Sequence, residues 1–208
     1  MTIAAVANAA QKLEIGLKTF PSGVEWIWVD SVQELDRYPD ADLFFDLDFV
    51  MEAGRIGQLS RLLPKPVIIN SVLHTLTEIG QPFVRINGWP GLLQRSHSEL
   101  AVADQEAGSV VGKLFEKLDW PYCIVPDIPG LISARILCMV INEAYYTLQD
   151  RVSTKEEIDT AMKLGTNYPF GPFEWSRKIG LSAIYLLLES LSRTDSRFRA
   201  AKALEQDL

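Results

Sequence analysis

Few side chains in this sequence are equipped for acid–base, nucleophilic or cofactor chemistry: two histidines, two cysteines, and carboxylates at the ends of apolar runs. His97 stands two residues from Glu99, an imidazole base beside a carboxylate, in a stretch expected to be a solvated loop. His74, within Val72-Leu73-His74-Thr75-Leu76, has the setting of a loop or helix start and no evident partner. Cys123 falls in an apolar run with no base nearby, which argues against a nucleophilic thiolate. Cys138 lies inside an apolar helical pattern and is expected to be a buried, reduced thiol, as befits a cytoplasmic protein. The two cysteines match no metal-ligand spacing, so no metal site is expected. Asp30 closes an apolar run where a dinucleotide-binding fold places its ribose-binding acid, although an aspartate there is equally an ordinary turn residue. Trp26, Trp28, Trp89, Trp120 and Trp175 are expected to fill core and turns rather than to form a stacking platform.

These residues are carried by a chain with two grammars. Up to about residue 125, short apolar runs alternate with amphipathic stretches. Thr2–Ala7, Val24–Val29, Asp42–Leu47, Pro66–Val72, Phe83–Asn87 and Tyr122–Val125 have the length and composition of strands. Helical patterns lie between them at Ala9–Thr19, Gly54–Leu63 and Asp104–Leu118. Such alternation predicts an α/β domain over residues 1–126, a parallel sheet flanked by helices. The almost uniformly apolar Leu43–Leu47 suits a strand covered on both sides. From residue 127 to 208 the apolar spacing becomes three and four, predicting an all-α domain. Leu137, Ile141, Ala144 and Leu148 share one helix face. Ser153 and Glu156 form a capping box, and Gly165 ends the helix that follows. Pro172 opens a further helix carrying Ile179, Ala183, Leu187 and Leu191 in step.

The bulk properties narrow the function classes. A formal net charge of -7 argues against a nucleic-acid or anionic-membrane partner. No apolar run approaches the ~20 residues of a membrane helix, and the N-terminal stretch lacks the basic start of a signal peptide. The helical part has more apolar positions than ~80 residues can cover alone, so a homodimer through residues 127–208 is expected. The turn between the first strand and first helix, Ala7-Asn8-Ala9-Ala10-Gln11-Lys12, holds no glycine. A dinucleotide fold needs glycines there so that backbone N–H groups can reach a pyrophosphate, and no cofactor is therefore expected.

The segment Asp127-Ile128-Pro129-Gly130-Leu131-Ile132-Ser133-Ala134-Arg135 resembles the D-x-P-G-F-[IV]-x-N-R motif opening the C-terminal domain of NAD-dependent 3-hydroxyacyl-CoA dehydrogenases. Asn142-Glu143-Ala144, Ile158-Asp159-Thr160-Ala161-Met162-Lys163-Leu164-Gly165 and Asn167-Tyr168-Pro169-Phe170-Gly171-Pro172-Phe173-Glu174 continue it, so that the resemblance covers most of residues 127–182. In the first half, Asp40–Asp46 resembles the family's D-A-D-L-V-I-E strand, and Pro66–Ser71 the strand leading to its N-T-S motif. The resemblance implies a shortened Rossmann-like domain, a helical dimerisation domain, and a cleft to which Asn70, Ser71, Trp89, Ser133 and Ala134 contribute.

It also exposes four departures. The glycine loop is missing. Only eleven residues separate Asp30 from Asp42, where the family inserts a helical arm for coenzyme A. Asn87-Gly88-Trp89-Pro90 stands where the family has G-x-H-F-x-x-P and its catalytic histidine. Ala134 stands where it has an active-site asparagine. Glu99 corresponds to the acid that pairs with that histidine, and His97 is the one candidate for a replacement base. The expectation is a relative that has lost or altered NAD-dependent catalysis and is kept as a dimeric protein binding a small acyl or nucleotide ligand. The alternative is an active oxidoreductase on a small hydroxyacyl substrate with an atypical cofactor site.

Overall fold

A computed structural model describes residues 1–208 as two compact units, Met1–Leu131 and Ile132–Leu208. The first is a seven-stranded sheet in the order β2-β1-β3-β4-β5-β6-β7. Its strands are β1 (Thr2–Val6), β2 (Glu25–Val29), β3 (Leu43–Asp46), β4 (Val67–Asn70), β5 (Val84–Ile86), β6 (Ser98–Ala101) and β7 (Tyr122–Ile124). Neighbouring strands from β1 to β5 pair in parallel. β6 runs antiparallel to β5, and β7 parallel to β6. The sheet is the expected parallel one apart from this single reversal, whose cause is local. The β5–β6 link has no crossover helix, whereas β6 and β7 are joined through α4 (Gln105–Lys117). β6 also overturns the solvated loop expected around His97-Ser98-Glu99: a four-residue strand begins at Ser98, whose hydroxyl accepts the buried Trp120 indole N–H at 2.8 Å.

Period-two alternation builds a core on each face of the sheet. Ile3, Ala5, Leu43 and Phe45 pack with Ile15 of α1 (Ala9–Gly16) and with Val111 and Phe115 of α4. Ala4, Val6 and Phe44 pack on the other face with Leu59 of α2 (Ala53–Ser60) and Ile79 of α3 (Leu76–Ile79). Every residue of β3 is buried, as its apolar run requires.

The second unit consists of α5 (Ser133–Gln149), α6 (Lys155–Thr166), α7 (Pro172–Ile179), α8 (Leu181–Ser192) and α9 (Lys202–Gln206). Leu137, Ile141 and Ala144 form the buried stripe of α5. Three local expectations shift. The capping box is Thr154 with Glu157, one residue beyond Ser153 and Glu156, and α6 ends on Asn167 in the left-handed region rather than on Gly165. Gly180, at φ 98°, breaks the single helix expected after Pro172 into α7 and α8, and the buried stripe of α8 becomes Ile184, Leu187, Leu188 and Leu191. Asp159, buried in α6, accepts the Phe173 N–H at 2.8 Å and so caps α7. A Cβ at Gly171 would lie 2.2 Å from an Asp159 carboxylate oxygen, which is why this tight α6–α7 turn carries glycine there.

Candidate functional site

Ligands of open α/β sheets bind at the carboxyl ends of the strands. Here that edge is tied together by the chain's own polar groups. Asn8 caps α1, its side chain accepting the Gln11 N–H at 3.0 Å while the Gln11 side chain accepts the Asn8 N–H at 3.0 Å. The Gln11 amide then donates to the Leu47 carbonyl beyond β3 at 2.7 Å. Asn70, at the end of β4, donates to the same carbonyl at 3.1 Å and accepts the Gly88 N–H beyond β5 at 2.9 Å. Four connections across the edge are thus linked through two amide side chains. Gly88 is constrained by this contact, since a Cβ there would meet Asn70 at 2.7 Å. Asp46, fully buried at the end of β3, is held bidentately by Arg55 at 2.6 and 2.7 Å. Burial pushes its carboxyl above the usual range, while the Arg55 hydrogen bonds and charge oppose that rise.

The residues singled out from sequence are distributed unevenly. Asn70 and the Gly88–Trp89 backbone meet at this edge, where Trp89 N–H also reaches the Asn87 side chain at 3.3 Å. Ser71 is turned to the His74 carbonyl at 2.8 Å. Asp30 is exposed just beyond β2. His97 is exposed, with its Nδ1 3.1 Å from the Ser96 hydroxyl, while Glu99 stands half-buried in β6 opposite Cys123. Burial raises the Cys123 thiol, and the Glu99 charge adds to the effect, so this thiol is not an activated nucleophile. In the second unit, Ser133 and Ala134 form the first turn of α5, with Ala134 fully buried.

Sequence reasoning passed over Arg85 and gave Asp127, the first residue of the recognised motif, no partner. Arg85 points from β5 into the protein, wholly buried, and donates to the Ser71 carbonyl at 2.8 Å, the Val72 carbonyl at 3.1 Å and the Ile128 carbonyl at 3.3 Å. It pairs with Asp127, whose other carboxylate oxygen accepts the Leu76 N–H at 2.8 Å. Burial lowers the guanidinium's affinity for its proton, and the Asp127 carboxylate opposes this. The signal was present: an arginine inside the apolar run Phe83–Asn87 must find acceptors. Arg85→Ala is expected to destabilise the protein by about 3–5 kcal/mol, because it strands a carboxylate and several carbonyls. Urea denaturation checks this, and a loss under about 1 kcal/mol would mean the pair is dispensable.

The second unit carries a groove of about 640 Å³ between α5 and α6. Ile136, Met139, Val140, Ile158 and Met162 give it an apolar lining, and Ile136 is 56% exposed. At its border the Arg135 and Arg197 guanidiniums lie 4.9 and 4.8 Å from the Phe198 ring.

Residues 130–207 match the family model described as 3-hydroxyacyl-CoA dehydrogenase, C-terminal domain. The helical unit is therefore similar to the C-terminal domain of 3-hydroxyacyl-CoA dehydrogenases. Among curated relatives, the 3-hydroxyadipyl-CoA dehydrogenase of Escherichia coli K12 is 42% identical over 84 residues, covering 39% of this chain and 18% of the relative. The probable 3-hydroxybutyryl-CoA dehydrogenase of Bacillus subtilis 168 is 37% identical over 109 residues, covering 51% of this chain and 38% of the relative. The chain therefore spans well under half the length of these two relatives. The crystal structure of (S)-3-hydroxybutyryl-CoA dehydrogenase from Ralstonia eutropha superposes with a TM-score of 0.75 at 20% identity, covering 99% of this chain and 92% of that one. The fold is that of these dehydrogenases, a Rossmann-like sheet followed by a helical domain. No helix is long and apolar enough to cross a membrane.

The dinucleotide associated with this family would need backbone N–H groups at the start of α1, where no glycine stands and the Gln11 N–H is already taken by the Asn8 side chain. The Asn87–Pro90 segment supplies no imidazole base.

Proposed function

We propose that this 3-hydroxyacyl-CoA dehydrogenase relative has lost or altered NAD-dependent catalysis and is kept in the cytoplasm as a dimeric ligand-binding or regulatory protein. The observation that carries the proposal is the reciprocal Asn8–Gln11 cap on α1, extended by Gln11 and Asn70 to Leu47. It satisfies internally the Asn8 and Gln11 N–H groups, two of the donors at the helix start that a cofactor would use. Hydride transfer from a hydroxyl also needs a base to remove the proton, and the histidine position holds tryptophan. The ligand class is a small acyl or nucleotide group, with Asn70, Ser71 and Trp89 of the first unit as its candidate contacts. The apolar groove of the helical unit supports a second copy of the chain as its occupant, since isologous pairs dominate soluble oligomers. The free thiols of Cys123 and Cys138 support a reducing compartment.

The test pairs a binding measurement with a rate. Acetoacetyl-CoA is expected to raise the melting temperature by mass action without any oxidation of added NADH. Turnover at an ordinary dehydrogenase rate, roughly 1–10³ per second, would replace this proposal with that of an active oxidoreductase using an atypical cofactor site.

A further inference from the structure

Helix α1 carries a buried carboxylate that the cofactor question leaves unexplained. Glu14 is 8% exposed, and its partners are backbone N–H groups from a loop some eighty residues away. Its Oε1 accepts from Gly91 at 2.6 Å, and its Oε2 accepts from Leu93 at 3.1 Å and Gln94 at 3.3 Å. Gly91 sits at φ 89°, in the left-handed region that lets a tight turn aim neighbouring N–H groups inward. Such a concavity of main-chain donors is an anion nest. Just past the end of α1, Lys18 donates to the Arg95 carbonyl at 2.6 Å. The helix and the turn after it thereby hold the loop, Glu14 by its N–H donors and Lys18 by a carbonyl acceptor. Leu92 and Leu93 are buried between these points.

We propose that residues 91–94 form an oxyanion-binding nest whose resident occupant is the Glu14 carboxylate. Glu14 is then a positioning residue that fixes the loop leading from β5, and with it the backbone of Trp89, whose carbonyl accepts the Leu92 N–H at 2.9 Å. The nest is built for a carboxylate-sized oxyanion, and α1 delivers that anion as a tethered ligand. The inference stands apart from the proposed function, since the nest is present whether or not NAD binds elsewhere.

Amide hydrogen exchange and ¹⁵N NMR test it. In the intact protein the amides of Gly91, Leu93 and Gln94 are expected to be protected. Glu14→Ala should reduce that protection roughly ten- to hundredfold, in keeping with the loss of charge-assisted hydrogen bonds. Sodium formate should then shift these three resonances saturably and restore their protection, whereas sodium chloride at the same ionic strength should not. Glu14→Gln, close in shape, is expected to fold and to show intermediate protection with no response to formate, and it decides the matter if Glu14→Ala does not fold. Three amides exchanging at exposed-loop rates in the intact protein would overturn the proposal. So would a folded Glu14→Ala protein indifferent to formate, or full protection in Glu14→Gln.

Discussion

NADH-dependent reduction of acetoacetyl-CoA is expected to stay at background in the double variant W89H/A134N, although these substitutions reinstate both side chains that the family motif places there. A positioned base contributes roughly 10²–10⁴-fold, whereas holding cofactor and substrate in attack geometry supplies effective molarities of about 10⁵–10⁸ M. The first contribution can be restored by two substitutions. The second cannot, because the start of α1 is capped by Asn8 and Gln11, and the Gln11 amide is committed to the Leu47 carbonyl. Trp89→His also removes ring volume from a half-buried position, so some stability should be lost alongside any gain in chemistry. The check is a direct assay of the folded double variant beside the parent, with calorimetry of NADH binding to both. Turnover near 1 per second, or micromolar NADH affinity in either protein, would mean that a cofactor site survives behind the capped helix.

The parts of this molecule that could be read from sequence are those governed by local rules. Uniformly apolar Leu43–Leu47 became the fully buried β3, and Pro172 opens α7 because its fixed φ and missing N–H suit a first turn. The helical unit was readable because its turns need particular residues, such as the glycine at 171 pressed against Asp159. What escaped depends on partners far along the chain. β6 is four residues long with a single large apolar side chain, Leu100, so its pattern cannot be told from a loop until β5 and β7 flank it. Arg85 and Asp127 are 42 residues apart, and Glu14 meets its loop across 77 to 80. No periodicity reports such pairings. The absence of glycine after β1 was visible, but the hydrogen bonds that fill the space could be seen only once Leu47 and Asn70 were brought beside Gln11.

Met139→Glu in the groove of the helical unit is expected to turn a dimer into a monomer. Met139 lines an apolar groove in which Ile136 is 56% exposed, an arrangement that costs little only if another apolar surface covers it. A carboxylate is tolerated there in the lone chain, where the groove is open to water. In a dimer it would be desolvated against apolar side chains, and taking an ion out of water costs several kcal/mol, which the arginines at the groove's border offset only in part. In an isologous interface the substitution appears twice, once from each copy. At about 1.4 kcal/mol per tenfold change, even a single such penalty weakens association roughly 10²–10³-fold. Light scattering of the parent should therefore report twice the 23.3 kDa chain mass at micromolar concentration, and the variant a single chain mass with unchanged circular dichroism. Leu164→Glu provides the control, because Leu164 is 83% exposed on α6 and does not line the groove, so its charge should leave the dimer intact. A parent that scatters as one chain, or a Met139→Glu protein that remains paired, would show that this groove is not where two copies meet.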